Sequence, residues 1–327
     1  MIQFKSIIKD KLVDFLELRK VSKSKSTYDH DRHILQIFDE YLCFIDCSDQ
    51  NLSEEQVTGW IRNLNGKSST IANVVIVVRI FVKYLKSYGL DPYMPPIPKV
   101  CDDYVPYIFS DDEMNQIFSY TDVLKRGKPR KNTLIHVEYP MILRVMYGCG
   151  LRIGETLSLK MRDVDLNIGV LTLKYTKGDK QRLVPMHPSL TEILKQYCMA
   201  MGIVGYPDVY LFPTVNPANP VTVHSAQHKF NDILEQGNIS LSGRRKHQRG
   251  PCLHCLRHVF VFSSFANAVK DERRIDDSIP YLSIYLGHDS LKETEKYLKF
   301  SSEMFPEAMD LFEEYTSQVF PEVNYDE

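Results

Sequence analysis

Four prolines, at positions 92, 95, 96 and 98, fall within seven residues, and no other feature restricts the fold of this chain as much. Proline lacks a backbone N–H, fixes φ, and drives the residue before it out of the helical region. A helix or an inner strand cannot run through such a stretch, so it reads as a stiff, extended connector. The 327 residues then divide on either side of it, in keeping with two domains. The expected division is a helical domain over 1–92, a linker over 93–105, a second domain over 106–299, and an acidic C-terminal helix or tail over 300–327.

The patterns on the two sides differ. Upstream, Ile34, Ile37, Phe38, Tyr41 and Leu42 recur at helical spacing between Thr27 and Phe44, and a second apolar run from Thr70 to Tyr88 stops at Gly89. Ser53 followed by Glu54 and Glu55 predicts a helix start, and Ser110-Asp111-Asp112-Glu113 predicts another just past the linker. Downstream, Val170–Tyr175 and Gln181–Met186 flank Thr176-Lys177-Gly178-Asp179-Lys180, a β-hairpin with Lys177 at its turn. The fold class is therefore mainly α, with a small β-sheet in the second domain.

Charge distribution bounds the partners. The whole chain carries a net −2, but residues 300–327 hold eight acidic residues and no Lys or Arg. The remaining body has 40 basic against 34 acidic residues, a net of +6. DNA binding needs basic residues on one face rather than a basic total. Two clusters supply candidates: Lys125, Arg126, Lys128, Arg130 and Lys131, and then Arg244, Arg245 and Lys246 beside Arg249. No uninterrupted apolar run nears the roughly 18 residues of a membrane span, and charges are spread through the first fifteen residues. No membrane partner and no signal peptide are expected. Seven scattered cysteines read as reduced thiols of a cytoplasmic protein.

Four local patterns carry the chemistry. Gly148-Cys149-Gly150-Leu151-Arg152-Ile153-Gly154-Glu155 turns tightly into a helix start, where a guanidinium can fork onto phosphate oxygens beside helix N–H groups. Lys177 at a hairpin tip can present an ammonium to a leaving oxygen. In His254-Cys255-Leu256-Arg257-His258, His254 and Arg257 share a helix face while Leu256 and Phe260 turn to the core. Leu286-Gly287-His288 precedes Tyr297 by nine residues counted from the histidine. Taken singly, each also fits a structural role: an arginine after Gly-Leu, a turn lysine, a capped histidine, an amphipathic tyrosine. Taken together, Arg152, Lys177, His254, Arg257, His288 and Tyr297 supply phosphodiester transesterification without metal, cofactor or ATP. Fixed positive charge meets the pentavalent transition state. A lysine protonates the departing 5′-oxygen. A phenol forms a phosphodiester similar in energy to the one it breaks, so that religation needs no further input.

The segments GCGLRIGETLSLKMRDVDL, YTKGDKQRLVPM, HCLRH and LGHDSLKETEKYL, in this order, resemble the signature boxes of the tyrosine recombinase (phage integrase) family, in its simple two-domain, Xer-like form. The resemblance spans roughly residues 106–300, and residues 1–95 in general character. It implies a helical core-binding domain and a mixed α+β catalytic domain that clamp DNA from opposite sides. It implies that Arg152 and Arg257 hold the non-bridging oxygens and Lys177 is the general acid. It further implies that His254 assists proton transfer from Tyr297, and that His288 hydrogen-bonds the phosphate. Glu155 would orient the first arginine or His254, and Tyr297 would take the 3′-phosphate. The partners implied are double-stranded DNA with paired half-sites, further copies of the chain in a dimer or tetramer on DNA, and accessory proteins, in the cytoplasm and at the nucleoid. Mobile-element integration or excision is expected ahead of chromosome-dimer resolution.

Two departures accompany the likeness. Lys270–Asp277 reads as an inserted loop, and because the helical domain starts almost at Met1, no arm-binding module is expected. In the acidic segment, Met304, Phe305, Ala308, Met309, Leu311, Phe312 and Tyr315 could form one apolar face that docks on a neighbouring subunit. Three other readings stand beside this one. Cys252 and Cys255 with His247, His254 and His258 could bind zinc. A type IB topoisomerase would share the chemistry. A DNA-binding protein without catalysis would keep the fold alone.

Overall fold

The computed structural model describes residues 4–100, 106–124, 134–174, 181–242 and 250–297. Backbone contacts divide the chain into one unit over 1–103 and another over 104–327.

The first unit is helical: α1 (Lys9–Ser22), α2 (Lys25–Phe44), α3 (Glu54–Arg62) and α4 (Ser68–Ser87). Ser24 caps α2 by accepting from Thr27 N, and Ser53 and Gln56 form a reciprocal capping box on α3. These caps satisfy amide groups that a helix start otherwise leaves open. The apolar faces meet in a core of Leu12, Phe15, Leu35, Phe38, Trp60, Phe81 and Leu85. Phe38 and Trp60 meet edge-on at 4.9 Å. Asp39, buried in this core, accepts from the backbone N–H of Lys5 and Ser6 and from the Ser6 hydroxyl, which removes the cost of an unpaired buried carboxylate. α4 has the length and apolarity of a membrane span by composition, but Val75, Val78, Phe81, Val82 and Leu85 on it are buried in this core. The proline stretch forms neither helix nor strand. It lies back on its own unit: Tyr93 N donates to the Leu52 carbonyl, and Arg79 donates to that of Pro95.

The second unit begins with α5 (Asp111–Asp122), capped by a Ser110–Glu113 box, and α6 (Ile135–Cys149). Eight residues of α6 are buried, which makes it the central post. It ends at Gly150, whose φ of +60° is left-handed, and a Cβ there would stand 2.5 Å from the Phe260 ring. Both conformation and space thus call for glycine. α7 (Ile153–Ser158) follows, then a 3-10 turn and an antiparallel sheet of β1 (Val164–Asp165), β2 (Val170–Leu173) and β3 (Arg182–Pro185). Leu171 pairs with Val184 and Leu173 with Arg182. The sequence placed the strands at Val170–Tyr175 and Gln181–Met186; the observed strands are shorter, and the hairpin tip with Lys177 lies outside the described residues.

Helix α8 (Pro188–Ala200) packs against α6, and α9 (Val223–Gln236) against α5 and α7. α10 (His254–Lys270) packs along α6, followed by α11 (Ile275–Leu286) and the short α12 (Leu291–Glu295). The stretch expected as an inserted loop, Lys270–Asp277, is a correction. α10 runs through Lys270 and α11 starts at Ile275, so only a tight turn with Glu272 at φ +56° separates them. Asp276 and Asp277 occupy the first turn of α11, where acidic side chains complement the helix dipole. The acidic segment beyond Tyr297 and both basic clusters lie outside the described residues.

Candidate active site

Four chain segments converge on one centre. The turn after α6 delivers Arg152 as the N-cap of α7, where its amide donates to Glu155 Oε2 at 3.0 Å and its Nη1 to Oε1 at 3.1 Å. Glu155 is buried and also receives Arg182 from β3, with Nη1 at 3.1 Å and Nη2 at 2.9 Å. Burial alone would raise the Glu155 carboxyl, but the hydrogen bonds and charges of Arg182 and Arg152 outweigh it and hold the group below its usual range. Arg182 also donates Nε to the Tyr285 carbonyl at 2.8 Å, so the base of the hairpin is tied to both α7 and α11.

Arg257 is 1% exposed. Its Nη1 donates to the Gly150 carbonyl at 2.8 Å and its Nη2 to that of Leu286 at 2.9 Å. One guanidinium thereby joins the first arginine box to the histidine box. Burial, with the nearby charge of Arg152, lowers its pKa to about 10, so it remains a cation at neutral pH. Gly287 ends α11 at φ +64°, and Arg182 Nη1 lies 2.7 Å from where a Cβ would stand, so only glycine fits. His288 then follows, with Nδ1 2.6 Å from the Thr294 hydroxyl. Burial first, and the surrounding arginines after it, lower the His288 pKa to about 4, so the ring is neutral at physiological pH.

Tyr297 sits two residues beyond α12 and is 8% exposed. Its hydroxyl lies 3.0 Å from His258 Nδ1, and its ring stands edge-on to Phe262. Burial raises the phenol, against the opposing charges of Arg257 and Arg152. A neutral phenol at neutral pH needs a base beside it to become a nucleophile. The histidine in contact with the Tyr297 hydroxyl is His258; the family resemblance implies His254 in that role. His254 is exposed on the adjacent turn, its ring perpendicular to that of His258 at 4.8 Å. Glu155 pairs with Arg152, one of its two expected partners, and also with Arg182.

The described structure therefore brings together Arg152, Glu155, Arg257, His254, His288 and Tyr297. Lys177 and the expected DNA-contacting residues Lys125, Arg126, Lys128, Arg130, Lys131, Arg244, Arg245 and Lys246 lie outside the described residues. Sequence reasoning missed Arg182, His258 and Thr294. His258 was within reach, since it lies one helical turn from His254 on the same face. Cys252 and Cys255 approach to 3.7 Å between sulfurs, but among the described residues no group of three or more His, Cys, Asp or Glu side chains could hold a metal ion.

In fold, the chain is similar to solved DNA recombinases. The XerH site-specific recombinase in a post-cleavage complex matches with a TM-score of 0.68 at 18% identity, covering 89% of this chain and 81% of that one. A λ integrase dimer bound to a core site matches with 0.66 at 14%, covering 88% and 76%. The family comes from sequence. The phage integrase family model matches residues 108–304. The y4rB protein of Sinorhizobium fredii, described as an integrase/recombinase, is 30% identical over 296 residues, which cover 83% of this chain and 87% of that one. Tyrosine recombinase XerA of Pyrococcus furiosus is 28% identical over 257 residues, 77% and 78% of the two chains. The chain belongs to the phage integrase family and is a tyrosine recombinase, an enzyme of DNA strand exchange in site-specific recombination.

Proposed function

We propose that this recombinase cleaves and rejoins DNA through a 3′-phosphotyrosyl bond on Tyr297, with no metal or ATP. The observation that carries the assignment is the 3.0 Å contact between the Tyr297 hydroxyl and His258 Nδ1, next to a buried, charged Arg257. The Tyr297 oxygen attacks phosphorus as its proton passes to His258. The P–O5′ bond breaks and the leaving oxygen takes a proton from Lys177. Arg152 and Arg257 hold the non-bridging oxygens, and neutral His288 donates a hydrogen bond to the same phosphoryl group. His254, on the exposed edge of the cluster, supports His258 and the phosphate. Rejoining is the reverse, with a free 5′-hydroxyl as nucleophile.

The substrate in this reading is duplex DNA bearing paired half-sites, gripped by the helical unit over 1–92 and the catalytic unit over 106–299. The basic clusters at 125–131 and 244–246 contact its backbone. Assembly is a dimer on one site and a tetramer on two, with residues 300–327 docking on a neighbouring copy. Tyr281 and Ile284, exposed on one face of α11 and separated by three positions, offer an apolar surface for that contact. Mobile-element integration or excision is the favoured biological role, with accessory proteins, in the cytoplasm at the nucleoid. The likeness in fold to the Tn1549 transposon integrase, TM-score 0.61 at 14% identity, is compatible with this role.

The test is a nicked suicide duplex cut from the DNA flanking the chain's own gene. Wild-type protein should become covalently attached to the DNA 3′ end, and Tyr297→Phe should bind without attaching. An adduct formed by the Phe variant would refute the nucleophile. Supercoil relaxation without joining of two sites would favour a topoisomerase-like role.

A further inference from the structure

A threonine inside a helix ordinarily turns its hydroxyl onto a carbonyl three or four residues back. Thr58, Thr121, Thr156 and Thr191 all do so here. Thr294 does not. It is fully buried, and its hydroxyl meets His288 Nδ1 at 2.6 Å. A buried hydroxyl must place its proton on an acceptor. Among the described residues that ring nitrogen is the acceptor it reaches. The imidazole's other nitrogen, Nε2, is then the one that carries hydrogen, because in a neutral ring the bond made at one nitrogen fixes the state of the other. The same threonine also accepts, at its carbonyl, the backbone N–H of Tyr297 at 3.0 Å.

We infer that Thr294 is a positioning residue that sets His288 in the Nε2–H tautomer, the form able to donate to a phosphoryl oxygen, and couples that histidine to the turn holding Tyr297. The inference rests on the recombinase reading for its purpose, but not for its geometry. In the opposite tautomer His288 would aim a lone pair at a phosphate oxygen and repel it. Burial among arginines keeps the ring from taking a second proton, so a protonated ring cannot replace the hydroxyl's choice. The coupling is through both side chain and main chain of one residue: displacing Thr294 disturbs the donor and the nucleophile together.

The test uses the full chain labelled with 15N-histidine, with the His288 signals assigned by their loss in His288→Asn. Wild type and Thr294→Ser should show a bare, pyridine-like Nδ1 and a protonated, pyrrole-like Nε2. Thr294→Val, which keeps shape but lacks the hydroxyl, should show a mixture of tautomers. On the nicked suicide duplex, Thr294→Val should form adduct about tenfold to a hundredfold more slowly, short of the ~10²–10³-fold lost when a transition-state donor is removed outright. Thr294→Ser should restore the rate. A wild-type ring protonated at Nδ1 overturns the inference even if the valine variant fails to fold. So does a folded valine variant with unchanged tautomer and rate. If the spectra are as expected but wild-type protein forms no adduct on any nicked duplex, the tautomer assignment stands and the proposed reaction fails.

Discussion

The charge cluster and the nucleophile segment of the site are held in different ways. Arg257 and Arg182 are anchored to the backbone carbonyls of Gly150, Leu286 and Tyr285, and Arg182 with Arg152 to the buried carboxylate of Glu155. These anchors sit at the ends of α6, α7 and α11 and on β3. Tyr297 hangs from a five-residue helix. Its side chain meets His258, Arg257 and Phe262, and its backbone N–H is linked through Thr294 to His288. The charge proposed to meet the transition state is thus preorganised, with no rearrangement needed during reaction. The proposed nucleophile follows an element too short to be stable alone. Backbone carbonyls and a buried carboxylate fix the cations, whereas the oxygen proposed to attack DNA rides on a short helical turn.

Mutations can break this contrast. Tyr297→Phe should abolish adduct formation, by at least about 10⁴-fold as for other nucleophile deletions, with little change in thermal stability; a large loss of stability would contradict light fixation. Arg257→Lys should lower cleavage by about 10²–10³-fold and also cost about 1–3 kcal/mol in denaturant unfolding, because a lysine cannot satisfy the Gly150 and Leu286 carbonyls together. Stability equal to wild type would show that the carbonyl anchors do not matter. His258→Ala should slow cleavage by about a hundredfold, the usual reach of a general base. A variant as fast as wild type would return the proton-acceptor role to His254.

The smallest expected effect is on pH. His288 is held down to about 4 in the native protein, against an ordinary value near 6.5. As pH falls from about 6.5 towards 4, the unfolded chain takes up a proton that the native ring refuses, so the native state loses stability over that window. Below about 4 this contribution levels off. The melting temperature of wild type should therefore fall more steeply across that window than that of His288→Asn. Parallel curves would show that the ring is not buried against positive charge.

Much of this was legible in the sequence because the family boxes carry both the reacting groups and the backbone turns that aim them. The glycines of GCGLR and LGH fix left-handed ends on α6 and α11, so Arg152 and His288 could be placed before any fold was known. The caps at Ser53 and Ser110 were equally local. The groups that were missed depend on tertiary approach. Arg182 reads as a polar residue on a short strand until α7 and α11 close over it. Thr294 reads as one more residue of a charged helix until its hydroxyl finds His288. The supposed inserted loop failed for the opposite reason: a run of charges looks like a loop, although Asp276 and Asp277 belong to the first turn of α11 and Asp271 caps the end of α10.

The anchoring of Arg257 has a consequence for how such chains change over time. Because it ties two carbonyls from distant parts of the core, it serves the fold whether or not DNA is ever cut. A descendant that abandoned catalysis would still be held to an arginine there, while its tyrosine, whose hydroxyl supports little else, could drift to phenylalanine. An arginine at 257 is therefore a weak witness to activity among relatives of this chain, and the oxygen of Tyr297 a strong one.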